Sequence, residues 1–110
     1  MNTADPLDTS RLEASAAKAA GLLRAMSNER RLMVLCRLGE GEAQVATLQA
    51  AVGLSQSALS QHLAVLREEG LIAARREGQA VFYRIADPAA VRVIATLVDI
   101  FCPPDLKDPA

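Results

Sequence analysis

Aromatic side chains are scarce in this chain, whose 110 residues include two phenylalanines, one tyrosine and no tryptophan. About half of the residues (51%) are nevertheless apolar, so a hydrophobic core can form if it is built from Leu, Val, Ile and Ala. A core of such aliphatic side chains suits packed helices. The length fits a single domain, and a domain of this size gains stability when a second copy covers part of its surface.

Residues that bind metals or perform catalysis are also few. The chain has one histidine, His62, and two cysteines, Cys36 and Cys102. A tetrahedral zinc site needs a cluster of such ligands, so we expect neither a metal site nor a cofactor. No nucleophile with a neighbouring base and no phosphate-binding loop is evident, and the sequence therefore does not indicate an enzyme.

Long apolar runs are missing as well. No stretch of about 18 apolar residues is present, which argues against a membrane-spanning helix. No apolar run follows a basic N-terminus, so we expect no signal peptide and a cytoplasmic location. In that compartment Cys36 and Cys102 are expected to be thiols rather than a structural disulfide.

Acidic residues are absent from one long internal stretch, Ala43 to Arg67, although the net charge of the whole chain is −1. The segment from Arg24 to Arg37 holds four arginines and only one acid, Glu29. A net charge near zero is not typical of a DNA-binding protein. Local patches, rich in arginine that forks onto phosphate, would therefore have to attract DNA.

Hydrophobic periodicity and turn residues predict about five helices and two strands. The predicted helices are Arg11–Ala25, Asn28–Leu38 after an N-cap at Ser27, Val45–Ala51, Gln56–Glu69 after an N-cap at Ser55, and Pro88–Phe101. The predicted strands, Leu71–Arg76 and Ala80–Ile85, are joined by a turn at Glu77-Gly78-Gln79. The expected fold is mainly α with a β-hairpin wing, a winged helix-turn-helix. We expect residues 1–10 to be a flexible N-terminus, 11–102 the DNA-binding and dimerisation domain, and 103–110 a tail.

The fourth predicted helix carries an unusual polar face. Leu59, Leu63 and Leu66 form its inward stripe, whereas the opposite stripe is small, polar and uncharged. The second helix of a helix-turn-helix lies in the major groove, and residues near its N-terminus contact the bases. The candidate base contacts are Gln56, Ser57, Ser60 and Gln61. The alternative is an ordinary helical hairpin within a core.

The predicted hairpin is basic. It carries Arg75 and Arg76 before its turn, Gln79 within the turn and Arg84 after it. Arginines on a protruding hairpin can reach flanking phosphates or the minor groove. We therefore add Arg75, Arg76 and Gln79 to the candidate DNA contacts, the alternative being a solvated charged hairpin.

Two segments of the chain match the motifs of a known protein family. The segment Ala25-Met26-Ser27-Asn28-Glu29-Arg30-Arg31-Leu32 is similar to the motif of that family's second helix, with Glu29 where proline is common. The run Leu54-Ser55-Gln56-Ser57-Ala58-Leu59-Ser60-Gln61-His62-Leu63, followed by Gly70-Leu71-Ile72 and Arg75-Arg76-Glu77-Gly78, resembles its recognition helix and wing. The family that these segments resemble is the ArsR family of bacterial repressors. The resemblance implies a symmetric dimer that represses by occupying double-stranded operator DNA and leaves when an inducer acts. It also implies that His62 lies on the DNA side of the recognition helix or at its rim.

The cysteines extend this resemblance. Leu35-Cys36 and Phe101-Cys102-Pro103 resemble the sulfide- and persulfide-responsive branch of the family, which includes the biofilm growth-associated repressors. Membership of that branch implies that Cys36 and Cys102 form a sensing dithiol and that reactive sulfur species are the inducer. A metal, arsenite or peroxide response, and a winged helix that binds protein instead of DNA, stay as alternatives. Cys36 also shares a face with Leu32 and Leu35, so it could simply be a small buried hydrophobe.

The last predicted helix is apolar nearly all round. Arg92, Thr96 and Asp99 form one narrow polar stripe, and large aliphatic residues and Phe101 cover the rest. A helix of this kind must be buried on most sides. One small domain covers one side, so we predict that a second subunit covers another.

Overall fold

A computed structural model describes residues 9–102 of the chain. The elements in order are α1 (Ser10–Ala14), α2 (Ala16–Met26), α3 (Glu29–Leu38), α4 (Val45–Val52), α5 (Gln56–Glu68), β1 (Ile72–Glu77), β2 (Ala80–Ile85) and α6 (Pro88–Phe101). The strands form one antiparallel pair. The predicted winged helix-turn-helix is confirmed, with six helices in place of five. The segments predicted as a flexible N-terminus and a tail lie largely outside the described residues.

The sixth helix arises because the first predicted helix is interrupted. One helix was expected over Arg11–Ala25, but the helix is interrupted at Ser15, whose backbone N–H donates to the carbonyl of Leu12. Helix α1 buries none of its residues within the chain. Serine favours local turns over helix interiors, and no packing of α1 opposes the break.

The cap of α3 also differs from the prediction. Asn28, and not Ser27, is the N-cap: its Oδ1 accepts from the backbone N–H groups of Arg30 and Arg31 at 2.9 and 3.1 Å. Ser27 instead ends α2, where its hydroxyl donates to the carbonyl of Arg24. Asparagine and serine are both strong N-caps, and here the extended backbone of the cap falls at Asn28.

The helix-turn-helix unit forms as predicted. Gly53 adopts the left-handed conformation (φ +70°) between α4 and α5, which glycine permits without steric cost. Ser55 caps α5 by accepting from the N–H of Ala58 at 3.2 Å. The inward leucine stripe of α5 is buried in the core, and Leu59 and Leu66 are fully inaccessible to solvent. The outer face of α5 is thereby fixed toward solvent.

The wing is a β-hairpin with a two-residue turn, and it is attached to the body of the domain. Strand β1 begins and ends one residue later than predicted, and Glu77 pairs with Ala80 across a turn of Gly78 and Gln79. Ala43 forms an isolated antiparallel bridge with Tyr83, so the segment before α4 is hydrogen-bonded to the free edge of β2. Within residues 9–102, no helix is both long enough and apolar enough to span a bilayer.

Candidate DNA interface and thiol pair

The candidate base contacts lie together on the outer face of α5. Gln56, Ser57, Ser60 and Gln61 are all exposed, and Ala64 continues the same surface. Because the leucine stripe is buried behind them, these side chains project from the first half of the helix. The first half of this helix presents neither a carboxylate nor a bulky apolar side chain, so a base edge could approach it closely.

His62 lies at the rim of this face and is half-buried. Its Nδ1 is 3.5 Å from Nη1 of Arg31, which also donates to the carbonyls of Ala25 and Arg24 at the end of α2. The neighbouring Arg30 donates to the carbonyl of Val52 at the end of α4, at 2.7 Å. Sequence reasoning missed both arginines as structural residues. They bind helix ends, where cations are favoured, and hold α5 in place relative to α2, α3 and α4.

The wing arginines have different surroundings. Arg76 and Arg84 are exposed, as is Gln79 at the turn. Arg75 is engaged: its Nε and Nη2 donate to the carboxylate of Glu42 at 2.9–3.1 Å, and its Nη1 donates to Glu77 at 3.0 Å. Its guanidinium carbon lies 4.6 Å from the centroid of the Phe82 ring.

Cys36 and Cys102 are both exposed free thiols in the single chain. The interpretation of Cys36 as a buried hydrophobe is therefore wrong. The buried side of α3 consists of Val34, Leu35 and Leu38, and Cys36 lies beyond its edge. Partial burial raises the pKa of the Cys36 thiol, and the nearby charges of Cys102 and Glu40 raise that pKa further. Cys102 directly follows α6, which packs against α3, the helix that carries Cys36.

The surroundings of Cys36 predict a pH effect. A thiolate at Cys36 is disfavoured by nearby negative charge, so we expect Cys102→Ser and Glu40→Gln each to move its alkylation midpoint to lower pH. The measurement is iodoacetamide labelling of Cys36 across a pH series, read by peptide mass spectrometry. Glu29→Gln, which removes an acid from the other end of α3, is the control and should leave the midpoint in place. A midpoint unchanged in both test variants would contradict the proximity of these groups.

Several large hydrophobic side chains are also exposed in the single chain. Large hydrophobic side chains are left accessible on α1, α2, α3 and α6: Leu12 (53%), Leu23 (57%), Met33 (37%), Val91 (47%), Ile100 (59%) and Phe101 (73%). Helix α6 buries only Ala90 and Ile94 completely within its own chain. Much of its apolar surface is therefore available to another molecule, as its composition predicted.

The fold and this interface define the class of protein. A helix-turn-helix with an outward uncharged row on its second helix, followed by an arginine-bearing hairpin, is a winged helix-turn-helix DNA-binding regulator. The sequence profile of the family described as "Bacterial regulatory protein, arsR family" matches residues 28–74. Together with the relatives described next, this match shows that the chain belongs to the ArsR family.

Relatives of known structure and name agree with this membership. The transcriptional activator HlyU of Vibrio cholerae is 45% identical over 97 residues, which are 88% of this chain and 90% of that protein. The biofilm growth-associated repressor of Xylella fastidiosa is 39% identical over 101 residues, 92% of this chain and 89% of its own. A crystal structure of the repressor BigR from Xylella fastidiosa superposes with a TM-score of 0.80 at 40% identity, covering 84% of this chain and 94% of that one.

A solution structure from Mycobacterium bovis is also similar. It is the homodimeric winged helix-turn-helix DNA-binding domain of a possible ArsR-family transcriptional regulator. Its TM-score is 0.72 at 33% identity, over 86% of this chain and 88% of that chain. The resemblance to the ArsR family is thus confirmed, and the chain is a transcriptional regulator rather than an enzyme.

Proposed function

We propose that this chain is a cytoplasmic repressor that binds operator DNA as a homodimer and is released when Cys36 and Cys102 are modified by reactive sulfur species. The observation that carries the DNA-binding half is the uncharged exposed row on α5, held outward by a buried leucine stripe and flanked by a basic wing. The observation that carries the sensing half is the pair of exposed thiols, Cys36 on α3 and Cys102 at the end of α6, on two helices that pack against each other.

In this proposal the two parts of the interface have separate tasks. Gln56, Ser57, Ser60 and Gln61 read base edges, Gln toward adenine and Ser toward either base or phosphate. His62 supports the row from its rim. The wing, with Gln79 at its tip, contacts the backbone and supplies affinity that does not depend on sequence.

The base-reading row is tested by Ser60→Ala and Gln61→Ala. Each variant is expected to lose discrimination by roughly 5- to 150-fold, the equivalent of about 1–3 kcal/mol per good base contact. The measurement is the ratio of dissociation constants for a duplex selected by the wild type from a random pool and for its scrambled counterpart. Ala50→Ser, an exposed change on α4, is a control for folding and should keep the wild-type ratio. An unchanged ratio in both test variants would remove α5 from the proposal.

A salt titration separates DNA binding from a protein-binding role. Neutralised phosphates release counterions, so DNA affinity falls steeply as salt rises. A winged helix that binds protein instead would show no measurable affinity for either duplex. The net charge of −1 favours that alternative, whereas the family membership and the acid-free stretch favour DNA.

The dimer is proposed from the exposed apolar side chains of α2 and α6 and from the homodimeric relative of Mycobacterium bovis. A two-fold axis would bring the same patch of both subunits together. The two α5 helices would then lie roughly 34–36 Å apart, which matches successive major grooves.

The proposed sensing step uses the persulfide as its own oxidant. The thiolate of Cys102 attacks the outer sulfur of a persulfide R–S–S–H, forming Cys102–S–S–H as R–S⁻ leaves and takes up a proton. Attack by the Cys36 thiolate on the Cys102 sulfur then closes a disulfide and expels hydrosulfide. Alternatively, the persulfide on Cys102 attacks the outer sulfur of a second R–S–S–H, forming Cys102–S–S–S–H as a second R–S⁻ leaves. Attack by the Cys36 thiolate on the middle sulfur then leaves a three-sulfur bridge and again expels hydrosulfide. Which bridge forms depends on whether the two Cα atoms come within about 4.4–6.8 Å.

A further inference from the structure

The face of the wing that carries Arg75 is a charge cluster rather than a free basic surface. Alternation along paired strands puts Arg75, Glu77, Phe82 and Arg84 on one face of the hairpin, with Arg75 directly opposite Phe82. Arg76 is on the other face, opposite Val81. The adjacent Arg75 and Arg76 therefore lie on opposite faces of the hairpin.

Glu42 reaches this face from outside the hairpin. It precedes Ala43, which bridges β2 at Tyr83 through a reciprocal pair of hydrogen bonds of 3.1 and 2.8 Å. Glu42 thus lies on the other side of β2 from Arg75, and their ion pair crosses over β2. The guanidinium covers the ring of Phe82 on that strand. The contact is side-on, with both carboxylate oxygens accepting from Nε and one also accepting from Nη2.

From this geometry we propose that Arg75 is a positioning residue, which straps the wing to the segment that enters α4, and that the wing's phosphate contact belongs to Arg76. The proposal rests on the DNA-binding function proposed above and reassigns Arg75 within it. The strap joins β1, β2 and the start of the helix-turn-helix, so it fixes the angle between the wing and α5.

Charge supports this assignment. Arg75 and Arg84 carry two positive charges on their face, and Glu42 and Glu77 carry two negative charges, so the formal sum is zero. A phosphate that approached Arg75 would meet two carboxylates already hydrogen-bonded to it. Arg75 in turn holds the pKa of the Glu42 carboxyl below its usual range, chiefly through these hydrogen bonds, as expected for a carboxylate paired with a guanidinium. Arg76 shares its face with no carboxylate of the hairpin.

The test compares Arg75→Gln, Glu42→Gln and the matched neighbour Arg76→Gln in the full chain. Without DNA, amide hydrogen exchange at Ala43 and Tyr83 should accelerate roughly two- to fivefold in the first two variants, the usual effect of an exposed ion pair. It should stay at the wild-type rate in Arg76→Gln. Glu42→Gln removes the other partner of the same ion pair, so a folding defect of one variant alone does not decide the result.

With the selected duplex, the slope of log affinity against log salt separates the two arginines. Loss of one phosphate contact lowers the magnitude of that slope by about 0.9. We expect this decrease for Arg76→Gln and no decrease for Arg75→Gln. An equal decrease for Arg75→Gln, or wild-type exchange at Ala43 and Tyr83 in both strap variants, would overturn the proposal. If neither the wild type nor any variant bound DNA, the proposed function would fail. The exchange rates would still show whether Arg75 and Glu42 hold the wing to the segment before α4.

Discussion

Serine at either Cys36 or Cys102 is expected to leave DNA binding by the reduced protein unchanged and to abolish its release by persulfide. Both thiols are exposed in the single chain and neither belongs to the buried core, so these near-isosteric substitutions are expected to leave the fold intact. Each removes one end of the proposed sulfur bridge. The wild type should lose roughly 5- to 150-fold in affinity on treatment, the range of a coupling free energy of about 1–3 kcal/mol, and the variants should lose none.

The experiment measures the dissociation constant for the selected duplex before and after treatment with a low-molecular-weight persulfide. Intact-mass spectrometry of the same samples reports whether sulfur is added between the cysteines. Peroxide and diamide, in separate arms, distinguish a persulfide sensor from a general thiol oxidation sensor. Release of either single variant from DNA by persulfide would contradict the dithiol, and so would a wild type that dissociates without any bridge.

The structure offers a route by which such a bridge could act on DNA. Helix α3 carries Cys36 near its C-terminal end and Arg31 in its first turn, where Arg31 contacts His62 of the recognition helix. Arg31 also holds the end of α2 through two carbonyls. A bridge from Cys36 to Cys102 would tie α3 to the end of α6. A displacement of α3 would then be passed to both α5 and α2, and in the proposed dimer it would change the spacing of the two α5 helices.

The parts of the fold with local determinants could be predicted from the sequence. Gly53 and Ser55 define the helix-turn-helix because a left-handed glycine and an N-cap act within their own turn. The bounds of α6 follow from Pro88 at its start and Pro103-Pro104 after its end. The break at Ser15 could not be predicted, since it depends on α1 having nothing to pack against.

The roles of individual arginines needed the tertiary structure. Arg75 and Arg76 are adjacent and identical in type, but the partner of Arg75, Glu42, is 33 residues away along the chain. Arg30 likewise binds the carbonyl of Val52, which no local pattern indicates. The exposure of Cys36 also needed the tertiary structure. One position along a helix rotates a side chain by about 100°, and only the packing of α3 shows that the buried side includes Leu35 and excludes Cys36.

The other large effect concerns assembly: Ile100→Glu is expected to convert the proposed dimer to a monomer. Ile100 is 59% exposed in the single chain, near the C-terminal end of the apolar helix α6. Burial of a large aliphatic side chain contributes about 1.5–3 kcal/mol. A two-fold interface contains this residue twice, so the loss is about 3–6 kcal/mol, or roughly 10²- to 10⁴-fold in the dissociation constant of the dimer.

The matched control is Thr96→Glu, which places the same charge on the same helix but within its exposed polar stripe. Sedimentation at micromolar concentration should show a monomer for Ile100→Glu and a dimer for the control. Because a monomer can engage only one major groove at a time, affinity for the selected duplex should fall together with the fraction of dimer. A dimeric Ile100→Glu with wild-type DNA affinity would show that α6 does not form the interface. A wild type that sediments as a monomer would remove the homodimer from the proposed function altogether.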